Sequence, residues 1–340
     1  MTMLRKGAFR LITAGALALS LGGCSLIYKT TGDVLQAYSA SHTVPYLLET
    51  SDLEMACSMN EATKPLLMSF RRVTSEPHQL GVLMSLQTGG CMESEAREAD
   101  LRGLAAFEAG NAEASQDAMI VQRRLYETTA SRYYDGWKHH QAYYGEAAQG
   151  ECPSFDSEYD EFIYIAGLIS GLQALNADIQ SSGAAGVPKN MGSLVAESTR
   201  CVDNEKWWGV PMGLRATVWA MIPGSVPQGE DPFERLARAA ELGEEARVRL
   251  THVFQVIAAQ NKNKDELVRD TIRRHVSEVE EHPANEQWRL IDQLATHNIR
   301  AISDRMWMKE TGHRTPVDGL GTFWDDQKSD AEAMDLEGIL

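Results

Sequence analysis

Apolar residues recur three and four positions apart through most of the chain, which is the spacing of one buried helix face. Between 158 and 180, EYDEFIYIAGLISGLQALNADIQ places Phe162, Ile165, Ile169, Leu172, Leu175 and Ile179 in this register. Gly167 and Gly171 on the same stretch leave room for a close neighbour. From Asp231, an N-cap followed by Pro232 at the first helical position, Phe233, Leu236, Ala240, Ala246, Val253 and Ile257 continue the pattern, in one piece or in two around Gly243. NEQWRLIDQLATHNIRAISDRMW repeats it with Trp288, Ile291, Leu294, Ile302 and Met306. No segment alternates strictly between turn signals. The pattern therefore predicts an all-α fold of antiparallel helical hairpins, with little or no sheet.

Nearer the N-terminus, the spacing predicts helices over 52–74 and 79–95, joined by the turn SEPH, with Pro65 inside the first. ADLRGLAAFEAGNAEASQDAMIVQRRLY carries Gly103, Gly110, Ala114 and Ala118 at the small-residue positions of a hairpin over 98–144 and resembles a degenerate tetratricopeptide unit. The body is thus expected to be tetratricopeptide-like or α-solenoid-like. Linkers are expected at 26–44, 145–157, 181–190 and 222–230, where Gly, Pro and Ser gather. Charge-dense RVTSEP and VEEHPANEQ read as solvated turns. The final stretch, 311–340, lacks periodicity and turns acidic; Phe323 and Trp324 should pin its start.

The first 23 residues change the picture. Arg5, Lys6 and Arg10 precede the apolar run LITAGALALSLGG, the arrangement of a secretory leader. Leu21-Gly22-Gly23-Cys24 resembles the lipobox of bacterial lipoproteins, which implies acylation of Cys24 and a new N-terminus there. Ser25 stands where an inner-membrane retention signal would have aspartate, so the resemblance implies the outer membrane, with the body facing the periplasm. The expected organisation is a leader over 1–23, a linker over 24–44, a helical domain over 45–310 and an irregular tail over 311–340.

Net charge is −16 and becomes more negative once the basic leader is gone. Such a surface disfavours nucleic acid as a partner. Four cysteines remain after Cys24, and an oxidising compartment favours two disulfides. On the predicted helices, Cys57 and Cys91 lie about 27 and 24 Å from the intervening turn at roughly 1.5 Å per residue, so they pair across the hairpin. Cys152 and Cys201 then pair by elimination. No C-x-x-C or C-x-x-H spacing suggests a metal, and no cofactor fingerprint is present.

Aromatic residues supply the remaining candidates. SRYYDGWKHHQAYYGE sets Tyr133, Trp137 and His140 on one helix face, a buried seam or the wall of a cleft. CVDNEKWWGVP pairs Trp207 and Trp208 before a Gly-Val-Pro turn. This reads first as a packed corner and second as a ligand-facing site, with Lys206 or Arg215 as charge partner. The candidate ligand-binding residues are therefore Tyr133, Trp137, Lys206, Trp207, Trp208 and Arg215. A cleft between 98–144 and 160–222 would use them.

The lipobox, the Pro-containing first helix DLEMACSMNEATKPLLMSF, the turn SEPHQ and the small-residue hairpin together resemble the TatT lipoproteins, partners of tripartite ATP-independent periplasmic (TRAP) transporters. The resemblance covers about 50–145. It implies a helical body, a cleft for a small organic ligand such as an organic acid, and a periplasmic solute-binding protein as partner. The chain is then a non-enzymatic accessory of a transport system. Two alternatives are an envelope assembly adaptor without a small ligand, and a cell-wall enzyme. LVAESTRCV resembles the Glu-Ser motif of lytic transglycosylases, which would make Glu197 a general acid and base.

Overall fold

A computed structural model of the protein describes residues 26–145 and 151–326. The leader, Cys24 and the acidic stretch after Asp326 lie outside the described residues. Among the described residues there is no strand, and the helices pack into one body. In chain order they are α1 (26–38), α2 (Val44–Leu48), α3 (Leu53–Ser69), α4 (His78–Glu108), α5 (Ala112–Tyr144), α6 (Glu158–Gln180), α7 (Met191–Ser198), α8 (Val210–Met221), α9 (Pro232–Ala246), α10 (Leu250–Asn261), α11 (Asp265–Glu281) and α12 (Arg289–Thr311).

Side-chain caps account for several of these starts. Asp52, Asn111, Ser157 and Asp231 each accept a backbone N–H from the first turn that follows, satisfying donors that a helix start leaves free. α4 and α5 form a long antiparallel hairpin closed at Ala109–Asn111, where Gly110 takes φ +72°. Its register is set by small residues. A Cβ on Gly89 would meet the Tyr133 ring at 2.5 Å, and one on Gly81 would meet His139 at 2.6 Å. Polar pairs hold the same register, with Gln122 Nε2 donating to Asp100 at 3.0 Å and Arg132 Nη1 to the Thr88 carbonyl at 2.9 Å.

α3 runs antiparallel to α4. Asn60 bonds Gln87, Lys64 donates to Ser85 at 2.9 Å, and Cys57 is disulfide-bonded to Cys91 with Cα atoms 5.9 Å apart. On the other side, α6 packs on α5 through Gly167 and Gly171, against which His140 and Trp137 lie. α6 is long and apolar enough to cross a membrane, but it is mostly buried inside the body and serves as its core helix. The second half wraps around this array, and α12 returns to α4. Arg97 donates to Asn298 at 2.7 Å and Arg305 to Asp100 at 2.7 Å.

Four expectations need correction. The stretch 26–44 is not a linker: α1 and a short π-helical turn over Ser39–Thr43 make it helical up to α2. The helix expected to stop at 95 runs unbroken to Glu108, because Gly89 and Gly103 face the close partner α5 inside a continuous helix. Of the one-piece and two-piece readings of the stretch from Asp231, the second holds, with the break after Ala246 instead of at Gly243, where Arg247 adopts φ +58°. Val279–Glu281, expected within a turn, belong to α11, which buries only Val268, Thr271, Ile272 and His275 beneath a charged surface. Beyond α12 the chain is irregular up to Asp326, with Phe323 buried and Trp324 packed beside it.

Candidate functional site

The paired tryptophans form a packed corner. Trp207 and Trp208 are buried, and with Phe162 and Trp288 they make one aromatic cluster whose ring centroids lie 4.8 to 6.1 Å apart. Trp208 adopts φ +55° and Gly209 φ +75°, so the chain reverses tightly into α8. Only glycine fits at 209, where a Cβ would stand 2.4 Å from the Ala239 carbonyl oxygen.

The other candidate residues are also committed to packing. Tyr133 is buried and donates to Glu93 at 2.7 Å, and Glu93 also accepts from Arg97 at 2.7 Å. Burial first, and the Glu93 carboxylate second, push the Tyr133 hydroxyl well above its usual pKa. Lys206 pairs with Glu161 and sits 5.4 Å over the Trp207 ring. Arg215 lies 5.7 Å over Trp219. None of Tyr133, Lys206, Trp207, Trp208 and Arg215 lines the cleft at the end of α5.

A cleft exists one helical turn away. It has a volume of about 70 Å³ and lies where the end of α5 meets α6, the end of α7 and the Cys152–Cys201 disulfide. Tyr144 and Tyr164 wall it, Glu151, Glu197 and Arg200 stand at it as charged groups, and His140 forms part of its lining. The disulfide, with Cα atoms 5.2 Å apart, ties the segment before α6 to the end of α7.

His140 is the unusual group. It is fully buried, and among the described residues neither ring nitrogen has a hydrogen-bond partner. Its ring stacks on Trp137 at 5.1 Å and meets Tyr144 at 5.0 Å and Tyr164 at 4.9 Å. A Cβ on Gly167 would approach the imidazole to 2.2 Å, so α6 presents bare backbone to it. Burial alone pushes its pKa down to about 3, so the imidazole is neutral near pH 7. A neutral ring carries one donor and one acceptor, and leaving them unpaired costs about 1–3 kcal/mol each.

The tyrosine hydroxyls are not free in this way. Tyr144 donates toward Asp160, and Tyr164 donates to the Ser198 carbonyl at 3.1 Å. Asp160 is itself fixed by Gln79 at 2.8 Å and by the backbone N–H of Asp156 at 3.1 Å. The walls are therefore rigid. Hydrogen-bonding capacity is left over at the imidazole.

The chain matches no protein-family model, no curated protein and no solved structure.

Glu197 deserves separate placement, since sequence suggested it as a catalytic acid. It lies at the cleft, partly exposed, in an ion pair with Arg200 one helical turn on. Neither tryptophan borders it. Of the residues singled out in the sequence, Glu197, Cys152 and Cys201 line the cleft, and Trp137 lies behind it, its ring stacked on His140. The sequence places His140 on the right face, as part of a buried seam or of a cleft wall. Its isolation follows from Gly167 and Tyr164, which come from another helix.

Proposed function

We propose that the protein is a lipid-anchored, outer-membrane binding lipoprotein facing the periplasm, an accessory of a solute transport system that holds a small organic acid in the His140 cleft. The observation that carries this reading is the buried imidazole, unpartnered among the described residues, within rigid aromatic walls. A ligand that pairs with it would offset the cost of leaving it orphaned. The lipobox and the resemblance of 50–145 to the TatT lipoproteins support the anchor and the transport setting.

Size and charge narrow the ligand. A cleft of about 70 Å³ accepts a compact molecule of few heavy atoms. Among the described residues Arg200 is the cation lining the cleft, beside the carboxylates of Glu151 and Glu197. A ligand carboxylate would take the guanidinium in competition with Glu197, while its other polar end meets His140.

Isothermal calorimetry with two- to four-carbon mono- and dicarboxylates tests this directly. Wild-type protein should give saturable heat, and His140→Phe should weaken binding by about tenfold or more, given a lost buried hydrogen bond of ~1.5 kcal/mol or greater. The same substitution removes two orphaned polar atoms, so the variant should melt no lower than wild type. No saturable heat from any acid up to millimolar concentration would overturn the reading.

A second reading, the envelope adaptor, draws on the closed end of the α4–α5 hairpin. Phe107, Met119 and Ile120 are exposed there, an apolar end on which a solute-binding protein or another envelope protein would dock.

A further inference from the structure

The first described helix presents its apolar residues outward. Ile27, Val34 and Tyr38 are 64%, 59% and 59% exposed. They fall seven and eleven positions apart, hence on one side of α1. Thr31 completes that side, which carries no charged residue. The opposite side is the packed one: Gly32 and Ser39 are buried, and a Cβ on Gly32 would meet the Phe70 ring at 2.8 Å. Asp33 accepts from Thr74 on the flank. Leu26 at the start of the helix is exposed as well, at 65%.

Chain length says what lies against this face. Only Ser25 separates Leu26 from Cys24, so the two Cα atoms are at most about 7 Å apart. An acylated Cys24 sits at the boundary between headgroups and acyl chains, and α1 must begin within that reach. An amphipathic helix there buries its apolar side about 5–10 Å into the same boundary.

We propose that α1 lies in the interfacial layer of the bilayer beside acylated Cys24, with Leu26, Ile27, Val34 and Tyr38 in contact with lipid. The proposal rests on the lipid-anchor reading. The absence of charge on this face suits a zwitterionic surface, whereas the acidic body turns toward water. α1 then fixes how the body stands on the membrane, because Gly32 and Ser39 bind it to the body from the other side.

The test uses the full-length, processed protein in phosphatidylcholine vesicles. Val34→Cys and, as a solvent control, Val317→Cys each add a single free thiol for a nitroxide label, the other body cysteines being disulfide-bonded. The Val34 label should be shielded from a water-soluble nickel chelate by about fivefold or more relative to the Val317 label, and more accessible to oxygen. Mass spectrometry of the N-terminal peptide from the same samples reports acylation. An acylated chain whose two labels meet the nickel chelate equally would overturn the membrane-lying helix alone. An unacylated Cys24 would overturn it together with the anchor.

Discussion

Two single residues carry much of the local argument. Gly209 is required twice over, by its positive φ and by the Ala239 carbonyl against its α-carbon. Gly209→Ala should therefore cost about 3 kcal/mol or more, read as a drop in the chemical-denaturation midpoint at unchanged slope. A midpoint equal to wild type would show that the α8–α9 contact yields freely. Sequence already suggested that the two tryptophans form a corner, because a Gly-Val-Pro entry follows them. What it could not reveal is Trp288, far along the chain, as the third indole of the same cluster. His140 was hidden for the same reason: a histidine on a helix face is ordinary until the neighbouring helix supplies no partner.

At the level of elements, legibility depended on where the apolar residues point. α9 announces itself because Leu236 and Ala240 of its apolar stripe face the core, whereas in α6 and α12 the periodicity gives the helix but not its inner face: Ile179 is exposed, and Ile163, Leu168, Leu290 and Ile299 are the buried positions. α1 was read as linker since its apolar positions point outward while its buried side offers Gly32 and Ser39. α11 was missed for the converse reason, its few buried positions being outnumbered by charges such as Arg269, Asp270, Arg273 and Arg274. The disulfide between Cys57 and Cys91 followed from helical rise, and the second from elimination; both are formed. Their roles differ. Cys152→Ala with Cys201→Ala should cost about 2–4 kcal/mol and also weaken ligand binding, since this bridge frames the cleft. Cys57→Ala with Cys91→Ala should cost about as much, the loops of 34 and 49 residues differing little in closure entropy, and leave binding intact. Equal losses of binding in the two variants would argue against a local role for Cys152–Cys201.

Across the whole molecule, buried polar groups join distant helices and make stability depend on pH. Arg249 and Asp292 form a buried bidentate pair, Nη2 to Oδ2 at 2.8 Å and Nε to Oδ1 at 2.9 Å, tying the start of α10 to α12. Nearby, His252 Nε2 faces Glu244 at 2.8 Å, the Nδ1 atoms of His252 and His275 meet at 3.1 Å, and His275 Nε2 faces Thr296 at 3.0 Å. His252 Nε2–H donates to the Glu244 carboxylate, one hydrogen is shared between the two Nδ1 atoms, and the Thr296 hydroxyl also reaches the Asp292 carbonyl at 3.3 Å. Burial first, then His252 and Arg249, push His275 down to about 3, as burial does His140. Both groups are depressed in the fold, so their contribution is complete above the unfolded value near 6.5 and is lost as pH falls toward 3. Each should cost about 2–3 kcal/mol by pH ~4.5, and His140→Phe should remove one share of that acid sensitivity, read from melting temperatures across pH. A variant as acid-sensitive as wild type would place the titration elsewhere.

The central claim is that a small molecule occupies the cleft at His140, and native mass spectrometry of protein purified gently from its own envelope tests it most directly. The account predicts that wild type carries an added small mass, shed on collisional activation, that His140→Phe lacks. Bare protein in both preparations would contradict it.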